Sequence, residues 1–411
     1  MFVRNTTPFL CGTKPSALRN PQIVMTAVVR GKFAIRPDEM VTVLEGDLDQ
    51  GLLTDEMFDE NDENRTGASS YGGDFADIKP HGEVLFSGHC HTPNEQPLLE
   101  CPVVLAIGTM RKTLRVVGER TYKQTTPEPF TKMPITYAHA FGGSGQNANP
   151  VGKGVRTDGL PNIELPQDVV GSWDERSGPT GFGPISSSWP VRATRRGKAY
   201  GKGYVAPFWA ADFDPRFFQA APPDQWIEGA FRGDEELFLQ NLHPAYPLLR
   251  TKLPGLRIRA IVKDARGVFT DATLTLDTVY VTPDDDTVTL TWRAVFPVRE
   301  DDLADVKTMY VWSEPLEGPA KPLDEARAAL EAFERDPVGL SERMPPALLE
   351  LAERRKREAA GEVFPEDPEA TALDPVSRYV RKRLGNVASD KQAQVVAMLA
   401  PVSATLIQLA V

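Results

Sequence analysis

The sequence predicts a mainly β protein, an antiparallel sandwich or barrel-like core carrying long ordered loops, followed by a C-terminal α-helical region. Three observations carry this. Val288, Leu290, Trp292, Ala294 and Phe296 alternate with Thr287, Thr289, Thr291, Arg293 and Val295, the period of two that marks a half-buried strand. Gly and Pro crowd into one stretch together with Trp. Beyond Glu317 the apolar spacing changes to that of a helix. These divide the chain into a β-rich domain over residues 1–315, with a loop region at 142–224, and a helical extension over 316–411.

Taken in order, Ile23–Ile35 is β-branched and lacks helical periodicity. Glu83–Phe86 reads the same way, as does Val103–Val117, which breaks near Gly108 as a hairpin or bulge would. Next come residues 142–224, with 13 Gly and 10 Pro in 83 residues. Trp173, Trp189 and Trp209 lie within this stretch, and Trp226 just past its end. Disordered linkers are poor in aromatics. Gly, Pro and Trp together therefore predict ordered irregular loops pinned by buried rings, a type of segment that tends to be functional. Arg257–Val262 is a further strand. Leu274, Leu276 and Tyr280 line one face of another, and Pro283–Asp286 (PDDD) turns it into the alternating strand as an antiparallel hairpin. Leu323, Ala326, Leu330 and Phe333 then follow a helical face. Further helices are expected at 348–360, from Asp374 to Gly385 and from Ser389 to about Ala400.

Composition narrows the function. The chain has 411 residues, a net charge of −11 and a quarter of its residues charged. A strongly basic surface, the usual mark of nucleic-acid binding, is not expected. The basic run Arg354–Arg357 is flanked by Glu350, Glu353 and Glu358 and reads as a solvated helix face. The acidic stretch 45–64 reads as a solvated loop. Three cysteines, Cys11, Cys90 and Cys101, make a poor disulfide framework. No apolar run is long enough to span a membrane, and Met1–Leu10 lacks the apolar run of a signal peptide. A cytoplasmic protein without membrane or nucleic-acid partners is expected.

Catalytic signatures fail. Gly142–Gln146 (GGSGQ) falls short of G-x-S-x-G, and the glycines up to Gly154 have the wrong spacing for a phosphate loop. Asp212, Asp214 and Asp224, with Glu164, could in principle work as paired carboxylates. Pro215 after Asp214 instead suits a turn-capping role. Among five histidines, His89 and His91 flank Cys90. On a strand they would share a face, but no second pair completes a ligand set. Neither metal nor cofactor is expected, and no catalytic residue is assigned.

The blocks Asp77–Gly88 (DIKPHGEVLFSG), Thr136–Gly154 (TYAHAFGGSGQNANPVGKG), Leu160–Pro166 (LPNIELP), Gly181–Pro184 (GFGP), Asp212–Gln225 (DFDPRFFQAAPPDQ) and Asn241–Pro244 (NLHP), in this order, carry a family likeness. Over residues 1–315 the chain resembles the domain-of-unknown-function family 2169. The resemblance implies an adaptor or chaperone of bacterial type VI secretion, one that binds a toxic effector in the cytoplasm and helps load it onto the spike or spike-tip protein. It brings no catalytic residues. The loop region is then the expected partner-binding surface, with Tyr137, Phe141, Trp173, Phe182, Trp189, Trp209, Asp212, Asp214 and Trp226 as its candidate contacts. Two other classes stay open: a carbohydrate-active or other hydrolytic enzyme using the loop carboxylates, and a structural component of the secreted spike.

Overall fold

A computed structural model describes residues 2–335 except 20–21, 45–50, 54–56, 59–68, 147, 173–174, 176, 199–208, 265 and 299–305. Three larger sheets build the fold. The first has seven strands. Trp226–Glu228, His81–Phe86, Thr275–Thr282, Thr287–Val298, Gln22–Ala34 and Leu10–Arg19 follow one another across it, and Thr42–Val43 pairs with Gln22–Ala34. The second has five, in the order Ile163–Glu164, Met110–Val117, Glu100–Ile107, Glu236–Gln240 and Leu248–Lys252. The third has four, in the order Phe2–Asn5, Val306–Pro315, Leu256–Asp264 and Phe269–Thr273. Pairing is mostly antiparallel. His81–Phe86 runs parallel to Thr275–Thr282, and Phe2–Asn5 parallel to Val306–Pro315.

Among the described residues every sheet is open, so the barrel-like alternative does not hold. The inner faces instead share one apolar core. Phe86, Val279, Leu290 and Trp292 from the first sheet meet Val103, Leu105, Leu114 and Leu237 from the second and Ile258, Ala260 and Val311 from the third. Phe9, Phe33 and Trp292 form an aromatic nest here, with Phe9 and Trp292 stacked at 5.8 Å.

The hairpin forms as its sequence predicts. Thr282 faces Thr287 across the turn, and the 3-10 turn Pro283–Asp285 ends at Asp286, whose φ of 55° is left-handed. Two details differ. The second face of the alternating strand is largely covered as well, leaving Thr289 half-buried and Val295 exposed. Thr287, Thr291 and Arg293, on its polar side, are buried too. Arg293 is covered there by the segment around Asp74, whose carbonyl it binds at 2.9 and 2.6 Å, and by an ion pair to Asp277. In the partner strand, the register shifts between Leu276 and Thr278. A bulge at Asp277 resets the alternation. Leu276, Val279 and Val281 enter the main core, whereas Tyr280 packs on the opposite side with Leu85, Ala220 and Ala221. Leu276 and Tyr280 therefore do not share a face.

Val103–Val117 is a hairpin turning at Gly108, whose φ of 55° suits glycine. Helix Leu323–Arg335 follows Pro322, with Asp324 and Glu325 in its first turn, where acidic side chains suit the helix dipole. Its face falls on the expected residues. Ala326, Leu330 and Phe333 are buried, and Leu323 packs beside Ile261, Tyr310 and Trp312 on the outer side of the third sheet. Lys263 and Thr308 both bind Glu334, at 2.5 and 2.8 Å, tying the helix down. The three further helices expected after it, the basic run and most of the acidic stretch lie outside the described residues. Among the described residues, no helix is long and apolar enough to cross a membrane.

Candidate functional site

The loop region is ordered by buried polar clamps as much as by rings. The Lys112 ammonium, carried on the second sheet, donates to the Gly181 carbonyl at 2.6 Å, to Asp224 at 2.9 Å and to Gln225 Oε1 at 3.0 Å. Burial pulls its pKa below the ordinary lysine value, and the Asp224 carboxylate works against that pull. Gln225 Nε2 in turn donates to the carbonyls of Val84 and Phe182, both at 2.7 Å. Glu83, fully buried in the first sheet, accepts from Lys79, from Gln219 Nε2 at 3.2 Å and from the Ala221 amide at 2.8 Å. Sheet side chains thus satisfy the polar groups of an irregular backbone that has no ladder of its own.

The candidate aromatics divide by burial. Tyr137, Phe141, Phe182 and Trp189 are each at most 3% exposed. Tyr137 meets Trp189 edge-on at 5.5 Å, and Phe182 meets Phe86 edge-on at 5.2 Å. Phe141 packs with Leu160 and Val170. These four rings hold the loops together from inside and offer no face to a partner. Trp173 lies outside the described residues.

Trp209 and Trp226 are half-buried. Trp209 donates from Nε1 to Asp77 at 2.6 Å, stacks on Phe213 at 4.2 Å and meets Phe218 edge-on at 5.6 Å. Phe213 and Phe218 are half-buried as well, while Phe217 beneath them is buried. Arg196 lies over Phe217 at 4.7 Å, and Arg195 over Trp226 at 5.5 Å. Trp226 also stacks on His81 at 5.2 Å and donates to the Ala221 carbonyl at 2.8 Å. The region therefore presents a half-exposed aromatic cluster with arginines laid on it. Phe213, Phe218 and Arg195 were not singled out by sequence reasoning, although the block DFDPRFFQAAPPDQ contains both phenylalanines.

The carboxylates are engaged locally. Asp214 accepts from the Arg216 amide at 2.9 Å and pairs with its guanidinium at 2.6 Å; these contacts hold its pKa below the usual range. It caps the turn Pro215–Phe218, the expected role. Asp212 accepts from the Lys198 amide at 2.7 Å. Glu164 is buried between Arg115 and Arg120, at 2.8 and 2.7 Å, and accepts from the Val170 amide. Asp224 belongs to the Lys112 clamp.

A second cluster sits elsewhere. The strand His89–His91 places both rings on one side, with Cys90 buried on the other. Asp284, from the tip of the hairpin, meets both rings: His89 Nδ1 contacts Oδ2, and His91 Nε2 contacts Oδ1 at 2.8 Å. Burial pushes the Asp284 carboxyl up, but the hydrogen bonds from His91 and His89 outweigh it and hold its pKa low. The shared face of the two histidines was legible from their spacing. Asp284 was read only as a turn residue.

The molecule is thus a protein of several open β-sheets that carries a large ordered loop platform. The chain belongs to DUF2169, a family described as uncharacterized protein conserved in bacteria, whose model matches residues 20–293. The match covers the second sheet, the first sheet apart from its edge strand Leu10–Arg19 and the end of Thr287–Val298, and the whole loop region, and it stops short of strand Val306–Pro315 and the helix. Comparison with curated proteins gave no match, and neither did comparison with solved structures.

Proposed function

We propose that this protein is a non-catalytic adaptor or chaperone that holds a type VI secretion effector in the cytoplasm and helps load it onto the spike or spike-tip protein. The observation that carries the binding role is the half-exposed cluster of Trp209, Phe213 and Phe218, with Trp226 and the arginines 195, 196 and 216 around it. Tryptophan and arginine on a rigid support are the composition of interaction hot spots. The support is rigid because Lys112, Glu83 and Gln225 hold the loop backbone from below, so little ordering entropy is left to lose on binding. Arg195, Arg196 and Lys198 line the cluster, partly offset by Asp77, Asp212 and Asp214, and offer donors to an acidic or carbonyl-rich client surface. The secretion context comes from the resemblance of the loop blocks described above. The loop carboxylates, each taken up by a neighbouring amide, lysine or arginine, favour binding over a hydrolytic role.

The test is affinity capture of the full chain from its native host, alongside the Trp209→Ala and Phe218→Ala variants. The wild type is expected to retain a toxin and a spike-tip protein. Each variant should lose at least about tenfold in retention, or about 1.4 kcal/mol, with its circular dichroism unchanged. Undiminished retention by both folded variants would remove the cluster from the interface. A wild type that retains neither protein would remove the adaptor reading itself. Light scattering addresses the spike-component alternative, which requires an elongated trimer.

A further inference from the structure

We propose that His89, His91 and Asp284 form a site for a divalent transition metal of the zinc type, with one coordination position left to water or a ligand. The inference does not depend on the adaptor role.

The placement follows from the fold. Alternate residues of a strand project to one side, so the rings at 89 and 91 stand together while Cys90 enters the core. The third group arrives from far along the chain, at the hairpin tip, where the 3-10 turn Pro283–Asp285 fixes its backbone. The three ligand atoms lie within 4.8 Å of one another. Their supports are firm. The histidine strand pairs with Lys132–Pro134, and the His91 amide donates to the Asn241 carbonyl at 2.9 Å. Ligands held on paired strands keep their geometry better than ligands on free loops.

The chemistry fits one class of ion. Two imidazole nitrogens and a carboxylate, with no thiolate, select zinc and its neighbours over soft copper(I) and over calcium or magnesium, which prefer all-oxygen sites. Three protein ligands are the complement of a zinc site that keeps an open position. The Asp284 oxygens already divide between the two rings, one to each. A divalent cation seated between them would take a lone pair from each contacting ring nitrogen and from the carboxylate. The side chains are 31%, 16% and 25% exposed, enough for an ion to enter and too little for the site to be fully hydrated. A bound ion would clasp the small two-stranded sheet to the hairpin tip of the seven-stranded one.

The experiment uses the full chain, stripped with a chelator and titrated with zinc chloride by calorimetry, with cobalt(II) absorption in the visible as a direct report on coordination. The wild type is expected to take up one zinc per chain and to unfold at higher temperature with zinc present. Binding should weaken in acid, because protons compete with the metal for its ligands. Asp284→Asn and His91→Ala should weaken it by more than the roughly 10–100-fold that loss of an outer supporting residue costs. His81→Gln, remote from the cluster, should bind like the wild type. Circular dichroism of the metal-free variants separates lost ligands from lost folding. A wild type that binds no zinc would overturn the proposal, and so would Asp284→Asn and His91→Ala variants that bind zinc as tightly as the wild type.

Discussion

At the scale of single residues, buried polar side chains decide where the irregular backbone goes. Lys112 is the clearest case, because one ammonium satisfies the Gly181 carbonyl and Gln225 from within the core. Lys112→Met keeps the aliphatic stem and leaves those acceptors without their donor. An unfolding midpoint in urea should report a loss of about 1–3 kcal/mol, with little added for Asp224, which is half exposed. Glu314 gives a pH prediction. Burial raises its pKa, but the Lys321 amide, Trp312 Nε1, Arg257 and Arg259 together bring it below the ordinary value. A carboxylate whose folded pKa is depressed contributes stability that is complete above about pH 4.3 and is lost as pH falls through its folded value. Glu314→Gln should therefore flatten the acid limb of the stability profile, read as urea midpoints at successive pH values. Little of this level was legible in the sequence. Lys112 and Glu83 sit in strands as ordinary charged residues, and only tertiary folding brings loop acceptors to them. The same holds for Asp284, whose role as a turn residue hid its position opposite two histidines nearly two hundred residues earlier.

At the scale of elements, the sequence was most legible where a local pattern determines the environment. The helix Leu323–Arg335 buries the face its spacing predicts because one side meets the third sheet and the other meets water. Leu330→Ala removes the middle of that face against Ile261, Tyr310 and Trp312. The expected loss is about 2–5 kcal/mol for the helix and its sheet, checked by thermal unfolding followed through tryptophan fluorescence. The hairpin shows the limit of such reading. Strict alternation identified Thr287–Val298 as a strand, but alternation describes side chains and not what covers them. Arg293 is charged and nevertheless buried, because the Asp74 carbonyl accepts from its guanidinium and Asp277 pairs with it. The bulge at Asp277 left no trace in composition either. A polar residue in a strand reads as solvent-facing, whereas Asp277 is buried to pair with Arg293.

At the scale of the whole molecule, the three sheets contribute to one apolar core and should not unfold separately. A single calorimetric transition is expected, with its enthalpy equal to the van't Hoff value. A split transition would mean that the third sheet and its helix form an independent unit. The division into β-rich part and loop platform was visible in the uneven placement of Gly, Pro and Trp. The sequence reading gives Tyr137, Phe141, Phe182 and Trp189 as partner contacts, whereas long-range packing turns all four inward. Which rings remain half-exposed depended on long-range packing.

The antiparallel pairing of Gln22–Ala34 with Thr287–Val298 also has a temporal side. A ribosome adding about 5–20 residues per second finishes the first of these strands and needs a further 13–50 s, roughly, before the second has been made. Throughout that interval the apolar strand Gln22–Ala34 lacks the neighbour it will have on that side. Strands with open edges are templates for pairing with the wrong chain. The order of the residues, and not only their contacts, thus sets how long a nascent molecule is exposed to aggregation, and faster synthesis should raise the soluble yield.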